Sequence, residues 1–284
     1  MDVTFRPATL DDASNAGRVC YEAFRSIAER HGFPPDFPSP DAATAVLRML
    51  IRTPGVYGVI AERSGRILGS NFIDERSPIR GIGPISVDPA IQDRGLGRRL
   101  MRVVLDRAGE DAAGVRLIQA AYNTRSLSLY TRLGFRTREP LSVLQGPPLR
   151  IAFPGHAVRP ALEADIDACN ALCHEIHGLD RDAEVRSAIA RSTATVVEHL
   201  GSITGYATLT GFFGHAVARS NQDLMALIAA APKFPGPGFL LPTRNHEVFA
   251  WCLSQGLKLV MQATLMSVGL YNEPAGAYLP SVLY

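Results

Sequence analysis

The stretch Ile85-Ser86-Val87-Asp88-Pro89-Ala90-Ile91-Gln92-Asp93-Arg94-Gly95-Leu96-Gly97-Arg98-Arg99-Leu100 decides how the chain around it folds. An apolar strand ends at Val87, Pro89 cannot extend its hydrogen-bond ladder, and two glycines open a helix. That helix runs from about Gly95 to Ala108, with Leu96, Leu100, Val103 and Val104 on one face. Backbone N–H groups at a helix start have no intrahelical partner and form a concave anion site. Glycine has no Cβ, so an oxygen can approach that backbone closely. Arg94, Arg98 and Arg99 add full positive charge, and the same arginines also read as an ordinary solvated helix face. A diphosphate fits this site better than other common groups. The Walker loop is excluded, because it needs a lysine after its last glycine. The dinucleotide fingerprint is excluded too, because G-x-G-x-x-G is absent. What remains is Gln92-x-x-Gly95-x-Gly97 behind a Val87-Asp88-Pro89 strand end.

Upstream, strands are expected at 56–62 and 67–73, turned by Ser64-Gly65, and again at about 83–87. Downstream come a strand at 115–121 and a helix at 124–133. Alternating strands and helices indicate a mixed α/β sheet. Asn123 stands seven residues before Tyr130, which is followed by Leu133-Gly134-Phe135. The two segments, Q-x-x-G-x-G and N-x6-Y-x-x-x-G-F in this order, resemble the motifs of the GNAT acetyltransferases over about residues 3–145. The resemblance implies acetyl-CoA as co-substrate, its diphosphate on Gln92, Asp93, Arg94, Gly95, Leu96, Gly97 and Arg98. It implies that the strands near 83–87 and 115–121 splay apart around the pantetheine arm, with backbone groups of Ser86 and Val87 on the cofactor. It also implies direct attack of an amine on the thioester, an oxyanion held by a backbone N–H, and no metal.

Tyr130 suits the general acid for the departing thiolate, since a phenol near ~10 can protonate a thiolate whose acid is near ~8.5 with little cost. It also reads as a half-buried helix tyrosine. Asn123 can hold a water or a pantetheine amide; it equally reads as a helix N-cap, and the two roles are compatible. An attacking amine must be neutral, so a base is expected. Glu62, Asp74 and Glu75 at the sheet end are candidates, each also an ordinary surface carboxylate. The carboxylate after Tyr284 is a further candidate. Gly32-Phe33-Pro34-Pro35-Asp36-Phe37-Pro38 forms a stiff aromatic loop between early helices. In GNAT relatives this region shapes the acceptor pocket; it also reads as a plain connection.

The chain repeats itself. At an offset of 153, Phe5-Arg6-Pro7-Ala8 lies over Val158-Arg159-Pro160-Ala161, and Asp12, Cys20 and Glu22 over Asp165, Cys173 and Glu175. Asp11 or Asp12, and Asp165, are expected to cap the helices that follow. At an offset of 122, Asn123 and Gly134 lie over Asn245 and Gly256. Shared order argues for duplicated domains. The expected fold is α/β: two GNAT-like domains, each a mixed, mostly antiparallel twisted sheet flanked by helices. The Pro/Gly-rich stretch 146–155 gives a junction between a catalytic domain, 1–148, and a degenerate one, 156–284. The second half lacks Q-x-x-G-x-G: Ser220 or Asn221 caps a helix at 223–231, and Cys252 stands where Tyr130 would be. That half is expected to be catalytically silent. Mycothiol synthase-like tandem enzymes carry their active half second; here the motifs lie in the first.

Composition fits this. Of 284 residues 46% are hydrophobic and 20% charged, which excludes a disordered chain. The net charge of +2 does not suggest a nucleic-acid partner. Residues 1–150 hold 21 Lys+Arg against 16 Asp+Glu, and the remainder 8 against 11, so the positive half is the one expected to take an anion. Only Lys233 and Lys258 are lysines, a skew that equally fits a GC-rich genome. No apolar run reaches the ~18 residues of a membrane span, and Met1–Pro7 lacks signal-peptide character, so a cytoplasmic protein is expected. The four cysteines form no C-x-x-C pair, and His174-x-x-His177 beside Cys173 lacks further ligands. Trp251 reads as core. The expected function is acetyl transfer to a primary amine of a small molecule or peptide; a non-catalytic acyl-CoA-binding regulator or sensor is the alternative. Sequence does not reveal the acceptor or the oligomeric state.

Overall fold

The computed structural model describes residues 3–283 apart from residue 110. The chain divides into two compact units. The first contains Met1–Arg136, Met266–Leu270 and Leu283; the second contains Thr137–Leu265 and Tyr271–Val282. The expected junction at 146–155 thus falls inside the second unit. The segment 266–270 of the late strand belongs with the early chain, because Leu270 N–H donates to the Ala113 carbonyl at 2.8 Å.

The first unit runs β1 (Thr4–Pro7), α1 (Ala13–Arg30), α2 (Pro40–Arg52), β2 (Val56–Arg63), β3 (Arg66–Asp74), β4 (Ile79–Ile82), β5 (Ser86–Val87), α3 (Leu96–Ala108), β6 (Gly114–Ala120) and α4 (Thr124–Arg132). Its strands lie in the order β1-β2-β3-β4-β6, and β5 pairs with β3. The described pairings are antiparallel except β4 with β6, which is parallel. Ser64 and Gly65, at φ 51° and 75°, make the β2–β3 turn. The strand expected at 83–87 is broken. Gly83 sits at φ 142° and Pro84 has no N–H, so the ladder stops at Ile82 and resumes for two residues at Ser86.

Each face of this sheet carries a core. On one face lie Cys20, Ala43, Leu47 and Leu50 of α1 and α2 with Ile60 and Phe72. Gly17 lets α1 approach α2, since a Cβ there would fall 2.3 Å from Thr44 Oγ1. On the other face lie Leu96, Leu100, Met101 and Val104 of α3 with Leu117, Tyr130 and Phe135. Leu100, Met101 and Val104 are wholly buried, each contributing about 1.5–3 kcal/mol of burial energy.

The second unit runs β7 (Arg136–Gln145), β8 (His156–Pro160), α5 (Ile166–His177), α6 (Asp182–Ala190), β9 (Thr195–His199), β10 (Ser202–Ala207), β11 (Ala216–Ala218), α7 (Asn221–Ala230), β12 (Phe239–Pro242), α8 (His246–Ser254), β13 (Lys258–Gly269) and β14 (Ala277–Leu279). It holds an antiparallel sheet ordered β14-β11-β10-β9-β8 and the antiparallel pair β7–β12. Helix α7 starts two residues before the expected 223. Trp251 is half-buried at the rim of the core rather than inside it.

One side-chain arrangement occurs in both units. Arg6 grips Asp12 through both terminal nitrogens at 2.7 Å and donates from Nε to Glu62 at 3.0 Å. Arg159 holds Asp165 at 2.6 and 2.9 Å and donates from Nε to Glu198 at 2.8 Å. Neither aspartate caps its helix by a side-chain bond, contrary to the sequence expectation. Asp12 instead accepts from the Thr9 N–H, and Asp165 from the Leu162 N–H. The arginine draws each carboxylate back toward the sheet.

Candidate functional site

The site lies where β5 and β6 fail to pair. Strand β4 runs beside β6 as far as Gly81 opposite Arg116. Beyond the break, β5 keeps β3 as its partner, with Gly69 opposite Val87 and Ser70 opposite Ser86. Asp88 N–H donates to Leu68 O at 2.8 Å in the same register. Alternation along an antiparallel ladder then turns the Ser86 backbone groups toward β3 and the Val87 groups outward, to the side of the gap. Ser86 and Val87 therefore differ from the sequence expectation that both present their backbones. The Val87 carbonyl accepts from Gln92 Nε2 at 3.1 Å, which folds the following loop onto the strand.

That loop ends in an open helix start. Gly95 is the α3 N-cap in the left-handed conformation, φ 80°, and no side chain caps it. Asp93 is also left-handed, φ 68°. No atom lies within 4 Å of a Cβ built on Gly95. A Cβ on Gly97 would make ordinary contacts with Leu129 and Val87, at 3.7 and 3.9 Å. The N–H groups of Leu96, Gly97 and Arg98 precede the first intrahelical bond, from Arg99 N–H to the Gly95 carbonyl. Arg94 and Arg98 are exposed and form no ion pair among the described residues. Arg99 does not join them: its guanidinium lies 4.7 Å over the Phe5 ring and bonds the Val3 carbonyl. Asp93 is paired with Arg125 of α4. Uncapped amides, unpaired arginines and a Cβ-free approach together fit a diphosphate.

Asn123 caps α4, accepting from the Ser126 N–H at 3.2 Å. Tyr130 is buried among the α3-face core, its ring edge-on to Phe135 at 6.1 Å. Burial pushes its phenol well above the ordinary range, so it stays protonated throughout the physiological range. Gln119 of β6 is buried; its Oε1 accepts from Ser126 Oγ at 2.9 Å and its Nε2 has no partner.

The α1–α2 face of the sheet holds side chains to which the sequence reading gave no chemical role. The Ser86 hydroxyl lies 3.1 Å from that of Ser70. The loop between α1 and α2 docks here: the Phe33 ring stacks on Tyr122 at 4.4 Å, and Phe37 is buried edge-on to Phe24 at 5.5 Å. Between these anchors, Asp36 is half-buried. Burial pushes its carboxyl up to about 7.

The carboxylates read from sequence as bases are otherwise engaged. Glu62 is held by Arg6 at 2.8 Å, Asp74 by Arg76 at 2.5 Å and Glu75 by Arg107 at 3.0 Å. The carboxylate after Tyr284 lies outside the described residues. The preceding residue is placed: the Leu283 carbonyl packs on Gly81, where a Cβ would fall 1.6 Å away.

Among its described residues the second unit has neither the open helix start nor the tyrosine, and keeps only the asparagine cap. The start of α7 is closed by its own side chains. Ser220 Oγ accepts from the Asp223 N–H at 3.2 Å, and Asp223 takes the Ser220 N–H and hydroxyl and the Thr204 hydroxyl. A buried carboxylate thus stands where the first unit has bare amides. Cys252, in the place of Tyr130, is buried, and its thiol is pushed up to about 12. Asn245 caps α8 as Asn123 caps α4. His177 is buried edge-on to Tyr278 at 5.3 Å, while His174 is exposed. Among the described residues no three His, Cys, Asp or Glu side chains form a group that could hold a metal ion. Among the described residues no helix is long and apolar enough to cross a membrane.

Comparison with known proteins agrees with this geometry. Residues 21–135 match the model of the acetyltransferase (GNAT) family. A mycothiol acetyltransferase of Nocardia farcinica is 39% identical over 75 residues, a quarter of this chain and a quarter of that protein. UPF0157 protein YqkA of Bacillus subtilis is 31% identical over 84 residues, 30% of this chain and 24% of that one. The chain thus aligns with only about a quarter of each curated relative. Among solved structures, a GCN5-related N-acetyltransferase from Sphaerobacter thermophilus superposes at TM-score 0.62 and 17% identity, covering 95% of this chain and 96% of that one. A tandem GNAT protein from the clavulanic acid biosynthesis pathway superposes at 0.55 and 14% identity, covering 99% and 100%. A Pyrococcus horikoshii protein, provisionally named an acetyltransferase, superposes at 0.77 and 16% identity, covering 97% and 92%. The stretch with the open helix start and the splayed strands therefore lies within the residues that match the acetyltransferase (GNAT) family, in a chain whose whole length shares the fold of a tandem GNAT protein.

Proposed function

We propose that the chain is an N-acetyltransferase that moves acetyl from acetyl-CoA to a primary amine by direct attack, in the cytoplasm, using the first unit alone. The observation that carries this reading is the uncapped start of α3 beside the gap between β5 and β6, with Tyr130 behind it. Acetyl-CoA, when bound, supplies an activated acetyl thioester. The amides of Leu96, Gly97 and Arg98, with Arg94 and Arg98, hold its diphosphate. The outward N–H of Val87 lies along the gap, where it can bond the pantetheine arm or the oxygen that gains charge during attack. Tyr130 holds the proton that the departing sulfur needs. Asn123 fixes the start of α4 and thereby the reach of Tyr130. Self-capped α7 and Cys252 leave the second unit without diphosphate site or acid.

The test is thiol release from acetyl-CoA across a panel of primary amines: an amino-acid amide, a polyamine, an aminoglycoside and a lysine peptide. Turnover that falls with Tyr130→Phe supports the reading. Tight CoA binding in calorimetry without turnover for any amine overturns it in favour of an acyl-CoA-binding regulator.

A further inference from the structure

We propose that the second unit carries a strand-binding slot between β11 and β12, filled by the chain's own segment 272–282 as an extended peptide. The slot keeps its affinity for that segment when the covalent link is cut. Nothing in this depends on acetyl transfer in the first unit.

The two units place their strands around a helix in the same order. In the first, β5 leads into α3 and β6 follows it; in the second, β11 leads into α7 and β12 follows. Among the described residues β5 pairs with β3 alone, so its other edge is left to the gap. β11 pairs with β10 on one side, but on the other it pairs with β14. That register is antiparallel, with Ala216 opposite Leu279, Val217 opposite Tyr278 and Ala218 opposite Ala277. On its far side β14 lies beside β12. A third strand thus stands where the first unit has a gap.

Alternation explains why these residues fit, since successive side chains of a strand point to opposite faces. Ala277 and Leu279 join Ala216, Ala218, Phe239 and Leu241 in the core on the α7 side. Tyr278 lies with Val217 on the α5 side, its ring edge-on to His177 at 5.3 Å. The Tyr278 hydroxyl donates to Glu139 Oε2 at 3.4 Å. All three residues of β14 are buried.

The flanks of β14 are tied down as well. Asn272 Nδ2 donates to the His177 carbonyl at 3.2 Å, and the Ala275 N–H to the Ile176 carbonyl at 2.9 Å. Both carbonyls belong to the last turn of α5, where none has an intrahelical partner. Beyond β14 the Val282 N–H donates to the Phe212 carbonyl at 2.8 Å. The entry is tight: a Cβ on Gly276 would fall 2.8 Å from the Ala218 carbonyl oxygen and 2.2 Å from Ile176 Cδ1. Main-chain pairing along a sheet edge, with alternate side chains in apolar pockets, is how sheets take up extended peptides. A diphosphate finds no open amides beside this slot, because Ser220 and Asp223 close the start of α7.

The experiment cuts the folded, full-length protein at a protease site inserted after Glu273, which is exposed. Cleavage frees residues 274–284 without asking a truncated chain to fold. Gel filtration reports whether the segment stays bound, and fluorescence anisotropy follows its replacement by a labelled 274–284 peptide in excess. The expected result is co-elution of the cut segment, saturation at one peptide per chain, and binding weaker by about tenfold or more for peptides carrying Gly276→Val or Leu279→Asp. A cut segment that leaves at once without lowering the melting temperature overturns the slot. Equal binding of both variant peptides overturns it too. A second CoA bound per chain after the segment is removed, measured by calorimetry, would give the slot to the cofactor and overturn the strand assignment. Failure of the uncut protein to bind acetyl-CoA overturns the transfer reading alone and leaves the slot standing.

Discussion

The ring of Phe33 lies flat against that of Tyr122, centroids 4.4 Å apart and planes 15° from parallel. Tyr122 immediately precedes the Asn123 cap, so one stack joins the loop between α1 and α2 to the turn that starts α4. Such a pair contributes about 0.5–1.5 kcal/mol beyond its burial. Phe33→Ala should release the loop while leaving the diphosphate site intact. KM for the amine is expected to rise about 3–10-fold, on the scale of that lost stacking energy, with acetyl-CoA affinity unchanged in calorimetry.

The two glycines of the α3 start should separate fold from binding. Gly95 is left-handed, so Gly95→Ala should cost about 1 kcal/mol of stability and disturb the amides. Gly97 has room for a methyl group, so Gly97→Ala should leave the melting temperature almost unchanged. Gly97→Leu should weaken CoA binding by about tenfold or more through occupying the approach to the amides. Unchanged CoA affinity in both Gly95→Ala and Gly97→Leu would remove the diphosphate from this helix.

Tyr130→Phe keeps the buried ring and removes the hydroxyl. The expected outcome is a fall in kcat of about 10–10²-fold with an unaltered Kd for acetyl-CoA, measured by thiol release and calorimetry. Burial raises the phenol, so its ionisation produces no alkaline limb below pH ~10. An alkaline limb at pH 8 would have to come from another group.

Arg6 holds the Asp12 carboxyl down at about 2, against 3.8 when unpaired. A folded-state value below the unfolded one gives stability that is complete above pH ~4 and is lost as pH falls toward 2. Asp12→Asn should therefore cost about 1–2 kcal/mol at neutral pH, with Arg6 partly exposed and screened, and should flatten the acid limb of the denaturation curve. Chemical denaturation at pH 7 and pH 3 checks both. Arg159 lowers Asp165 in the same direction in the second unit.

Calorimetry should find one CoA per chain. Asp223→Ala should not raise that number, because it removes the closing carboxylate without adding glycines or arginines. It should instead destabilise by about 1–3 kcal/mol, chiefly through the buried Thr204 hydroxyl left without its acceptor.

The sequence by itself determined the local grammar. Pro89, Gln92, Gly95 and Gly97 dictate a strand stop and an uncapped helix start, because proline and glycine act on their own backbone whatever surrounds them. Asn123 reads as a cap, and the helix that follows begins there; Asn245, its repeat partner, caps α8 in the same way. The repeat was legible because Arg6 and Arg159 stand six residues before Asp12 and Asp165, within reach of local chain geometry. The tertiary structure decided which charges remain free. Arg99 follows Arg98 by one residue, yet lies over Phe5 across the fold. Glu62 and Glu75 became arginine partners through residues 56 and 32 positions away, while Asp36, a loop residue without a motif, forms no ion pair among the described residues. A carboxylate's basicity depends on long-range neighbours and desolvation, and only the packed chain sets those.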